Sequence, residues 1–204
     1  ISGGLVGSEM CIRDSVMPED SPNAKLNGTK SWGANIVTFD RYSESREEIG
    51  ANLAKEINAE IIPPFDHPDV INGQGTVGYE IINDCKKNNL IPDLVLCCCG
   101  GGGLIAGVST AIKTEYPNIP VYAVEPEDYN DTFLSLKNNK ITEVDVSKKS
   151  ICDSLLASKP GELTFSINKE NLSGSLLVSD LEAMKAMKYD FQYFKIILEP
   201  GGAV

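Results

Sequence analysis

Apolar and polar positions follow two rhythms along the chain, and each rhythm predicts one kind of element. Short, mostly apolar runs are typical of buried strands, and apolar residues recurring every three or four positions are typical of amphipathic helices. The runs "NIVTF", "AEIIPPF", "LIPDLVLCCC" and "IPVYAVEPE" predict strands within residues 35–39, 59–65, 90–99 and 119–127. Helices are predicted at residues 24–32, 43–58, 76–88 and 104–116. Such alternation of strands and helices indicates an α/β protein with parallel sheets.

The pattern weakens between residues 128 and 175, where we predict loops and short elements. It then returns at Ser179-Asp-Leu-Glu182, which matches a capping box and predicts the start of a helix. The apolar residues of that helix recur at spacings of three and four, and they are Leu181, Met184, Met187, Phe191, Phe194 and Leu198.

Composition narrows the possible classes of function. Hydrophobic residues make up 42% of the 204 residues, which is ample for a buried core. A net charge of -11, a pI near 4.6 and the lack of a basic run argue against binding to nucleic acid. No run of about eighteen apolar residues predicts a membrane span. The six cysteines are not spaced as a secreted disulfide framework, so we expect a soluble cytoplasmic protein.

Both ends of the chain are unusual. Residues 1–15, "ISGGLVGSEMCIRDS", show no helical or strand periodicity and no signal-peptide organisation, so we interpret them as a non-native extension. The chain ends at "EPGGAV", where an apolar helix would normally follow such a glycine turn. We therefore expect a fragment that is truncated at both ends.

The stretch "LCCCGGGGLIAG", residues 96–107, raises the question of metal binding. Neighbouring residues of a strand point to opposite faces, so Cys97, Cys98 and Cys99 cannot converge on one metal ion. We expect them to be small buried residues, since free cysteine is among the most buried residue types. His67, the single histidine, lies in a proline-flanked segment and is interpreted as a loop or helix-start residue.

Four consecutive glycines between a predicted strand and a predicted helix point to a phosphate. Glycine is costly in regular structure unless the backbone must approach something closely. Free N–H groups at a helix amino terminus supply a reason, because they bind anions. The sequence alone leaves a flexible turn open, and also a dinucleotide loop, since Gly101-x-Gly103-x-x-Ala106 and Glu125 fit its loose pattern. An unbroken glycine run favours a compact phosphate cradle.

Six blocks in order, "VMPEDSP", "HPDVINGQGT", "CGGGGLIAG", "VEPED", "ICDSLLASKPGELTF" and "LEPGGAV", resemble one enzyme family. They are similar to the serine/threonine dehydratase group (threonine ammonia-lyase and serine racemase) of pyridoxal-phosphate enzymes of fold type II. The resemblance implies the tryptophan synthase β-subunit-like α/β fold, with parallel-rich sheets flanked by helices. It assigns residues 16–63 to part of a small domain and residues 64–204 to part of a large cofactor-binding domain.

The resemblance also implies roles for individual residues. The cofactor phosphate would be held by Gly100, Gly101, Gly102, Gly103 and the backbone of Leu104. Glu199 matches a position beside the cofactor ring, and Asp153 and Ser154 match the substrate side. Glu125, the backbone carbonyl of Tyr129, and Asp131 match ligands of a divalent cation, and hard oxygen ligands suit Mg²⁺ or Ca²⁺.

The implied reaction is pyridoxal-phosphate-dependent conversion of L-threonine, L-serine or both into a 2-oxo acid and ammonia, by a homo-oligomer when complete. Serine racemase, hydroxyaspartate dehydratase and a cysteine-synthase-like enzyme are alternatives within the family. A dinucleotide-binding module and a non-catalytic relative are alternatives from another class. The family's Schiff-base lysine precedes the first matching block, and Lys113 sits at a solvated helix position. We therefore nominate no catalytic residue and expect this fragment alone to be inactive.

Overall fold

A computed structural model of the chain describes residues 14–204. The chain divides into two compact units between Ile61 and Ile62. The predicted domain boundary lay just after this point, between Pro63 and Pro64. Residues 1–13 of the expected non-native extension lie outside the described part, and its last two residues begin the first strand.

The first unit contains two strands and two helices. Its elements are β1 (Asp14–Pro18), α1 (Asn23–Ser31), β2 (Asn35–Phe39) and α2 (Arg46–Ile57). The two strands pair in parallel. Ser45 caps α2 by accepting a hydrogen bond from the amide of Glu48, and Asn58 ends it in the left-handed conformation. The strand and both helices predicted in this unit are confirmed.

The strand predicted at "AEIIPPF" is wrong, because residues 59–65 form no regular element. Pro63 and Pro64 have no N–H groups to donate to a neighbouring strand. Ile61 and Ile62 are 51% and 81% exposed in the structure, so this short apolar run is not a buried one.

The second unit is built on a parallel three-stranded sheet in the order β3-β4-β5, formed by β3 (Val95–Cys98), β4 (Val121–Pro126) and β5 (Gly174–Val178). Its helices are α3 (Pro68–Lys87), α4 (Gly103–Glu115), α5 (Asp131–Asn138), α6 (Glu162–Asn171) and α7 (Asp180–Tyr189). Short 3₁₀ turns occur at Asp153–Leu155 and Pro200–Gly202, and a π-helical turn at Asp190–Phe194 follows α7.

Several predictions for the second unit need correction. Helix α3 begins at Pro68 rather than at residue 76, because its glycines are helical and do not form a loop. The region from 128 to 175 contains α5, α6 and the start of β5, and is more regular than predicted. The capping box of Ser179 and Glu182 is confirmed.

The core of the second unit lies between the sheet and helices α3 and α4. It is formed by Ile82, Val95, Cys99, Ile105, Val108, Ile112, Val121 and Ala123. By contrast, the predicted apolar stripe of α7 is largely on the surface. Leu181 and Met184 are 57% and 48% exposed, whereas Ala183 is fully buried. None of the helices in the described part of the chain is long and apolar enough to cross a membrane.

Helices α3 and α4 approach closely because both carry glycine at their crossing. A Cβ atom on Gly107 would lie 2.4 Å from the carbonyl oxygen of Ile71 and 2.5 Å from the amide nitrogen of Gly75. These are backbone atoms, so only a shift of the whole helix could relieve the overlap. The crossing therefore fixes α4 against α3, and with it the position of the α4 amino terminus.

We expect Gly107→Ala to lower the free energy of unfolding by about 1–3 kcal/mol, the usual cost of overpacking a core. The matched control is Gly73→Ala in α3, where an added Cβ has no neighbour within 4 Å. That control should raise stability by about 0.5–1 kcal/mol, because alanine is the better helix former. Urea unfolding curves of both variants test the prediction, and equal stability of the two would contradict it.

Candidate functional site

The glycine loop, residues 100–103, joins the carboxyl end of β3 to the amino end of α4. Gly102 is the N-cap residue of the helix and has a φ of 90°, in the left-handed region that favours glycine. Gly102 and Gly103 are buried, while Gly100, Gly101 and Leu104 are half-buried. The loop thus lies at the edge of the sheet where parallel α/β proteins place their ligands.

Helix α6 binds two carbonyl groups of this loop. The carbonyl oxygen of Gly101 accepts hydrogen bonds from the Thr164 hydroxyl at 2.8 Å and from the Gly161 amide at 3.3 Å. The carbonyl oxygen of Gly102 accepts one from Nδ2 of Asn168 at 3.1 Å, and another from the Ala106 amide at 3.0 Å. The orientations of two successive peptide groups are therefore fixed by their carbonyls.

The amides of the same peptide groups must point the other way. A trans peptide holds its N–H opposite its C=O, and the described residues contain no cis peptide bond. The N–H groups of Gly102 and Gly103 are thus directed away from α6. Within residues 14–204, no hydrogen bond is donated by the amides of Gly100 to Gly103 or of Leu104. These unpaired donors, together with the positive end of α4, suit a phosphate group.

Phe65 explains part of the glycine run. A Cβ atom on Gly101 would lie 2.3 Å from the Phe65 ring, and one on Gly103 would lie 2.8 Å from the Cβ of Phe65. The sequence suggested only that a ligand must approach the backbone. In the structure, close approach of another part of the protein also requires glycine at these two positions.

Two further segments meet beside the loop. A Cβ atom on Gly100 would lie 3.3 Å from the Cα of Leu155, and one on Gly201 would lie 2.0 Å from the Ser154 hydroxyl oxygen. The turn Asp153–Leu155 therefore contacts both the glycine loop and the turn Pro200–Gly202. The structure thus brings Ser154 to the loop. The exposed side chain of Glu199 belongs to the N-cap residue of the second turn.

The three cysteines before the loop differ in burial. Cys99 is buried as predicted, and its Sγ lies 3.4 Å from the Thr132 hydroxyl. Burial raises the pKa of its thiol, and the nearby Glu125 carboxylate raises it further. Cys97 and Cys98 are only half-buried. Among the described residues, no group of three or more histidine, cysteine, aspartate or glutamate side chains is arranged to hold a metal ion.

Glu125 lies at the end of β4 and is fully buried. Its carboxylate accepts hydrogen bonds from the amides of Thr132 and Phe133, both at 2.8 Å, and from the Ser175 hydroxyl. It thereby caps the first turn of α5. Burial raises the pKa of Glu125 to about 7, although these hydrogen bonds oppose the shift.

Asp131, the first residue of α5, is also fully buried. Neither of its carboxylate oxygens has a hydrogen-bond partner in the part of the chain that the structure describes. Burial raises the pKa of Asp131 to about 8, and the charge of Glu125 contributes to the increase. A buried carboxylate without hydrogen bonds is costly, and a bound cation would relieve that cost.

Tyr129, the remaining residue of the predicted cation site, has a buried side chain. Its hydroxyl lies 2.7 Å from the carbonyl oxygen of Lys148 and 3.2 Å from that of Val146. These contacts anchor the 146–148 segment to the start of α5. The oxygen expected to bind a cation is the backbone carbonyl of Tyr129, two positions before Asp131 in the chain.

Two other residues considered from the sequence have structural roles. His67 is the N-cap of α3, and its Nδ1 accepts a hydrogen bond from the Asp69 amide at 3.2 Å, which confirms its interpretation as a helix-start residue. Lys113 donates to the carbonyl of Ile119 at 2.8 Å near the end of α4. Neither belongs to the glycine-loop site.

The sequence did not identify the residues that orient the loop. These are Phe65, Asp66, Gly161, Thr164 and Asn168. The segment "PGELTF", which includes Gly161 and Thr164, is part of one of the blocks that resemble the family. Nothing in its sequence indicated a contact with the glycine loop. Asn168 follows Thr164 by one helical turn, which places both on one face of α6.

A parallel α/β sheet that leads through a glycine loop into a helix amino terminus is an arrangement that α/β proteins use to bind phosphate groups. The family model described as pyridoxal-phosphate dependent enzyme matches residues 14–204. The chain therefore belongs to the pyridoxal-phosphate-dependent enzyme family, as the resemblance predicted.

Named relatives and solved structures agree with this family. The chain is 39% identical to L-threo-3-hydroxyaspartate ammonia-lyase of Saccharomyces cerevisiae, over 91% of the chain and 55% of the relative. It is 37% identical to serine racemase of Schizosaccharomyces pombe, over 93% of the chain and 57% of the relative. The solved structure of maize serine racemase superimposes with a TM-score of 0.86 at 31% identity, covering 95% of this chain and 57% of that one. The predicted fold type II class is thus confirmed, and the chain spans little more than half the length of these curated relatives.

We expect Gly101→Asp to weaken binding of pyridoxal phosphate by the full-length gene product at least about 100-fold, or about 2.7 kcal/mol. The new side chain overlaps Phe65 and places a negative charge at the free amides. Gly101→Ala is the matched control, because it has the overlap without the charge. Equilibrium dialysis on folded protein tests the prediction, and unchanged affinity of Gly101→Asp would show that the loop does not hold the phosphate.

Proposed function

We propose that the full-length protein is a pyridoxal-phosphate-dependent ammonia-lyase that converts L-threonine, L-serine or both into a 2-oxo acid and ammonia. The observation that carries this proposal is the set of unpaired amides at the amino end of α4, within a chain of the pyridoxal-phosphate family. Relatives named for threonine, serine and hydroxyaspartate support the ammonia-lyase chemistry.

In this proposal the chain binds and orients the cofactor. The amides of Gly100 to Gly103 and of Leu104 donate to its phosphate, and the α4 amino terminus stabilises the charge by about 0.3–2 kcal/mol. Glu199 would lie beside the cofactor ring, and Asp153 and Ser154 would line the substrate side. The contact of Ser154 with Gly201 supports a common site for these segments. When bound, the cofactor supplies an electron sink that makes removal of the substrate α-proton feasible.

A second candidate substrate fits the same class of reaction. Relatives at 39% and 36% identity are named L-threo-3-hydroxyaspartate ammonia-lyase, which favours an acidic β-hydroxy amino acid as an alternative to threonine or serine. Racemisation of serine is a further candidate, because serine racemases occur at similar identity. The proposal also includes a small amino acid as substrate and a homo-oligomeric assembly. It further includes a cytoplasmic location, with no nucleic-acid or membrane partner.

The dinucleotide interpretation is disfavoured by the position of Glu125. In that interpretation its carboxylate would bind a ribose hydroxyl. Here the carboxylate is fully buried and accepts hydrogen bonds from Thr132, Phe133 and Ser175. It has no surface on which a ribose could dock.

We expect the full-length gene product, after addition of pyridoxal phosphate, to show a visible absorbance band of bound cofactor. It should release ammonia and a 2-oxo acid in equal amounts. Threonine gives 2-oxobutyrate, serine gives pyruvate, and a hydroxyaspartate gives a dicarboxylic 2-oxo acid. Comparing kcat/KM for the three identifies the preferred substrate, and chiral analysis of unreacted serine measures racemisation. Absence of both the band and any product would overturn the proposal.

We also propose that Glu125, the carbonyl of Tyr129, and Asp131 bind a divalent cation such as Mg²⁺ or Ca²⁺. The two orphaned oxygens of Asp131 support this proposal, since a hard cation is the partner that two buried carboxylates can share. Glu125 accepts three hydrogen bonds, and an ionised carboxylate offers about four acceptor positions, so one remains for an ion.

Calcium or magnesium should raise the Tm of the full-length protein, since an ion at one hundred times its Kd stabilises the folded state by about 2.7 kcal/mol. Asp131→Asn should lose this response. In chelator near pH 7, that variant and the wild type should have similar Tm values, because the raised pKa of Asp131, about 8, leaves its carboxyl group mostly uncharged, like the amide. The control Asp93→Asn changes an exposed aspartate of the same unit and should keep the response. A cation response that survives in Asp131→Asn would place the ion elsewhere.

A further inference from the structure

We propose that Thr164 and Asn168 are positioning residues for phosphate binding, because they hold the two glycine-loop peptides whose amides would receive the phosphate. This inference rests on the proposed function of the loop. It assigns to α6 a role in cofactor affinity, although neither side chain is directed at the phosphate itself.

The first step of the argument is that both side chains are dedicated to the loop. Thr164 and Asn168 are 0% and 1% exposed, and they lie one turn apart on the same face of α6. Thr164 has a single hydroxyl hydrogen, and the shorter of its two carbonyl contacts is with Gly101, at 2.8 Å against 3.2 Å for Gly161. Asn168 donates through Nδ2 to Gly102, whereas its Oδ1 has no partner among the described residues.

An apolar side chain would fill these buried positions without leaving an amide oxygen unpaired. An unpaired buried amide oxygen is unfavourable. The polar interaction that stabilises the Asn168 side chain at this position is therefore the hydrogen bond donated by its Nδ2 group. Within the described part of the chain, the acceptor for this donor is the carbonyl of Gly102. The polar character of Asn168 is therefore accounted for by the loop.

The second step concerns the freedom of glycine. A run of four glycines has access to many backbone conformations, including those in which a peptide is rotated by half a turn. Such a rotation would direct a carbonyl oxygen at the phosphate in place of an N–H. The hydrogen bonds from Thr164 and Asn168 are lost in the rotated conformation. They therefore favour the arrangement in which the amides of Gly102 and Gly103 face away from α6.

The third step is that α6 itself is held in register with the loop. The carboxylate of Asp66 lies outside the helix and accepts hydrogen bonds from the amides of Glu162 and Thr164, both at 3.0 Å. The amide of Gly161 donates to the Gly101 carbonyl. The neighbour of Asp66 is Phe65, whose ring packs on Gly101. The same short segment thus contacts both the loop and the helix that orients it.

The test compares pyridoxal phosphate with pyridoxal, which lacks the phosphate, as ligands of the full-length gene product. Thr164→Val and Asn168→Leu keep the number and branching of the side-chain heavy atoms and remove the donor. Each should lower the affinity for pyridoxal phosphate about tenfold, equivalent to about 1.4 kcal/mol, and leave the affinity for pyridoxal unchanged. The ³¹P resonance of the bound phosphate should also broaden or shift, because the loop samples rotated peptides.

Two controls separate this role from a general effect on folding. Thr164→Ser retains the hydroxyl and should restore the wild-type preference for pyridoxal phosphate. Thr114→Val removes a hydroxyl that also bonds to a backbone carbonyl at 2.8 Å, but within α4, and should leave the preference unchanged. If one of the two test variants does not fold, the other still decides, since each removes a separate contact.

Equal losses for the two ligands, or no loss for either, would overturn the inference. The variant Gly101→Asp distinguishes this result from failure of the proposed function. If Gly101→Asp abolishes the preference for the phosphorylated ligand while both α6 variants keep it, only the positioning role fails. If Gly101→Asp keeps the preference, the loop is not the phosphate site, and the phosphate-binding role proposed for the loop fails together with the positioning role of α6.

Discussion

The second unit depends on one constraint, which is that the backbone at the end of β3 must satisfy its carbonyls and leave its amides free. Buried backbone groups normally all find partners, so this asymmetry needs a neighbouring element that supplies donors but no acceptors to the loop. Helix α6 supplies them through Thr164, Asn168 and the Gly161 amide. The amides remain available at the positive end of α4, where an anion is most stable.

Precise placement of those amides follows from close backbone contacts. The α3–α4 crossing, with Gly107 against Ile71 and Gly75, fixes the helix whose first turn carries the donors. Phe65 packs on the loop and precedes the residue that caps α6. Glycine is therefore needed in this unit where other parts of the protein come close to the backbone, both at the helix crossing and in the loop.

The elements that could be predicted from the sequence are those whose local pattern is complete. The apolar strand β3, the glycine run and the apolar α4 follow one another directly, and so does the capping box of α7. Helices α5 and α6 could not be predicted, because most of their buried positions are polar. Asp131, Thr132 and Ser135 in α5, and Thr164 and Asn168 in α6, are buried. A hydropathy pattern treats such residues as exposed. The reverse error occurred at "AEIIPPF", where an apolar run is exposed and its prolines cannot pair.

Buried polar residues also connect the carboxylates of Glu125 and Asp131 with the glycine loop. The Glu125 carboxylate orders the first turn of α5 by binding the amides of Thr132 and Phe133. The Thr132 hydroxyl contacts Sγ of Cys99, the residue that immediately precedes the glycine loop. A change in charge at Glu125 or Asp131 therefore acts on the turn that packs against the start of the loop. Because polar contacts of this kind depend on orientation, the geometry of the loop is set by specific hydrogen bonds as well as by apolar packing.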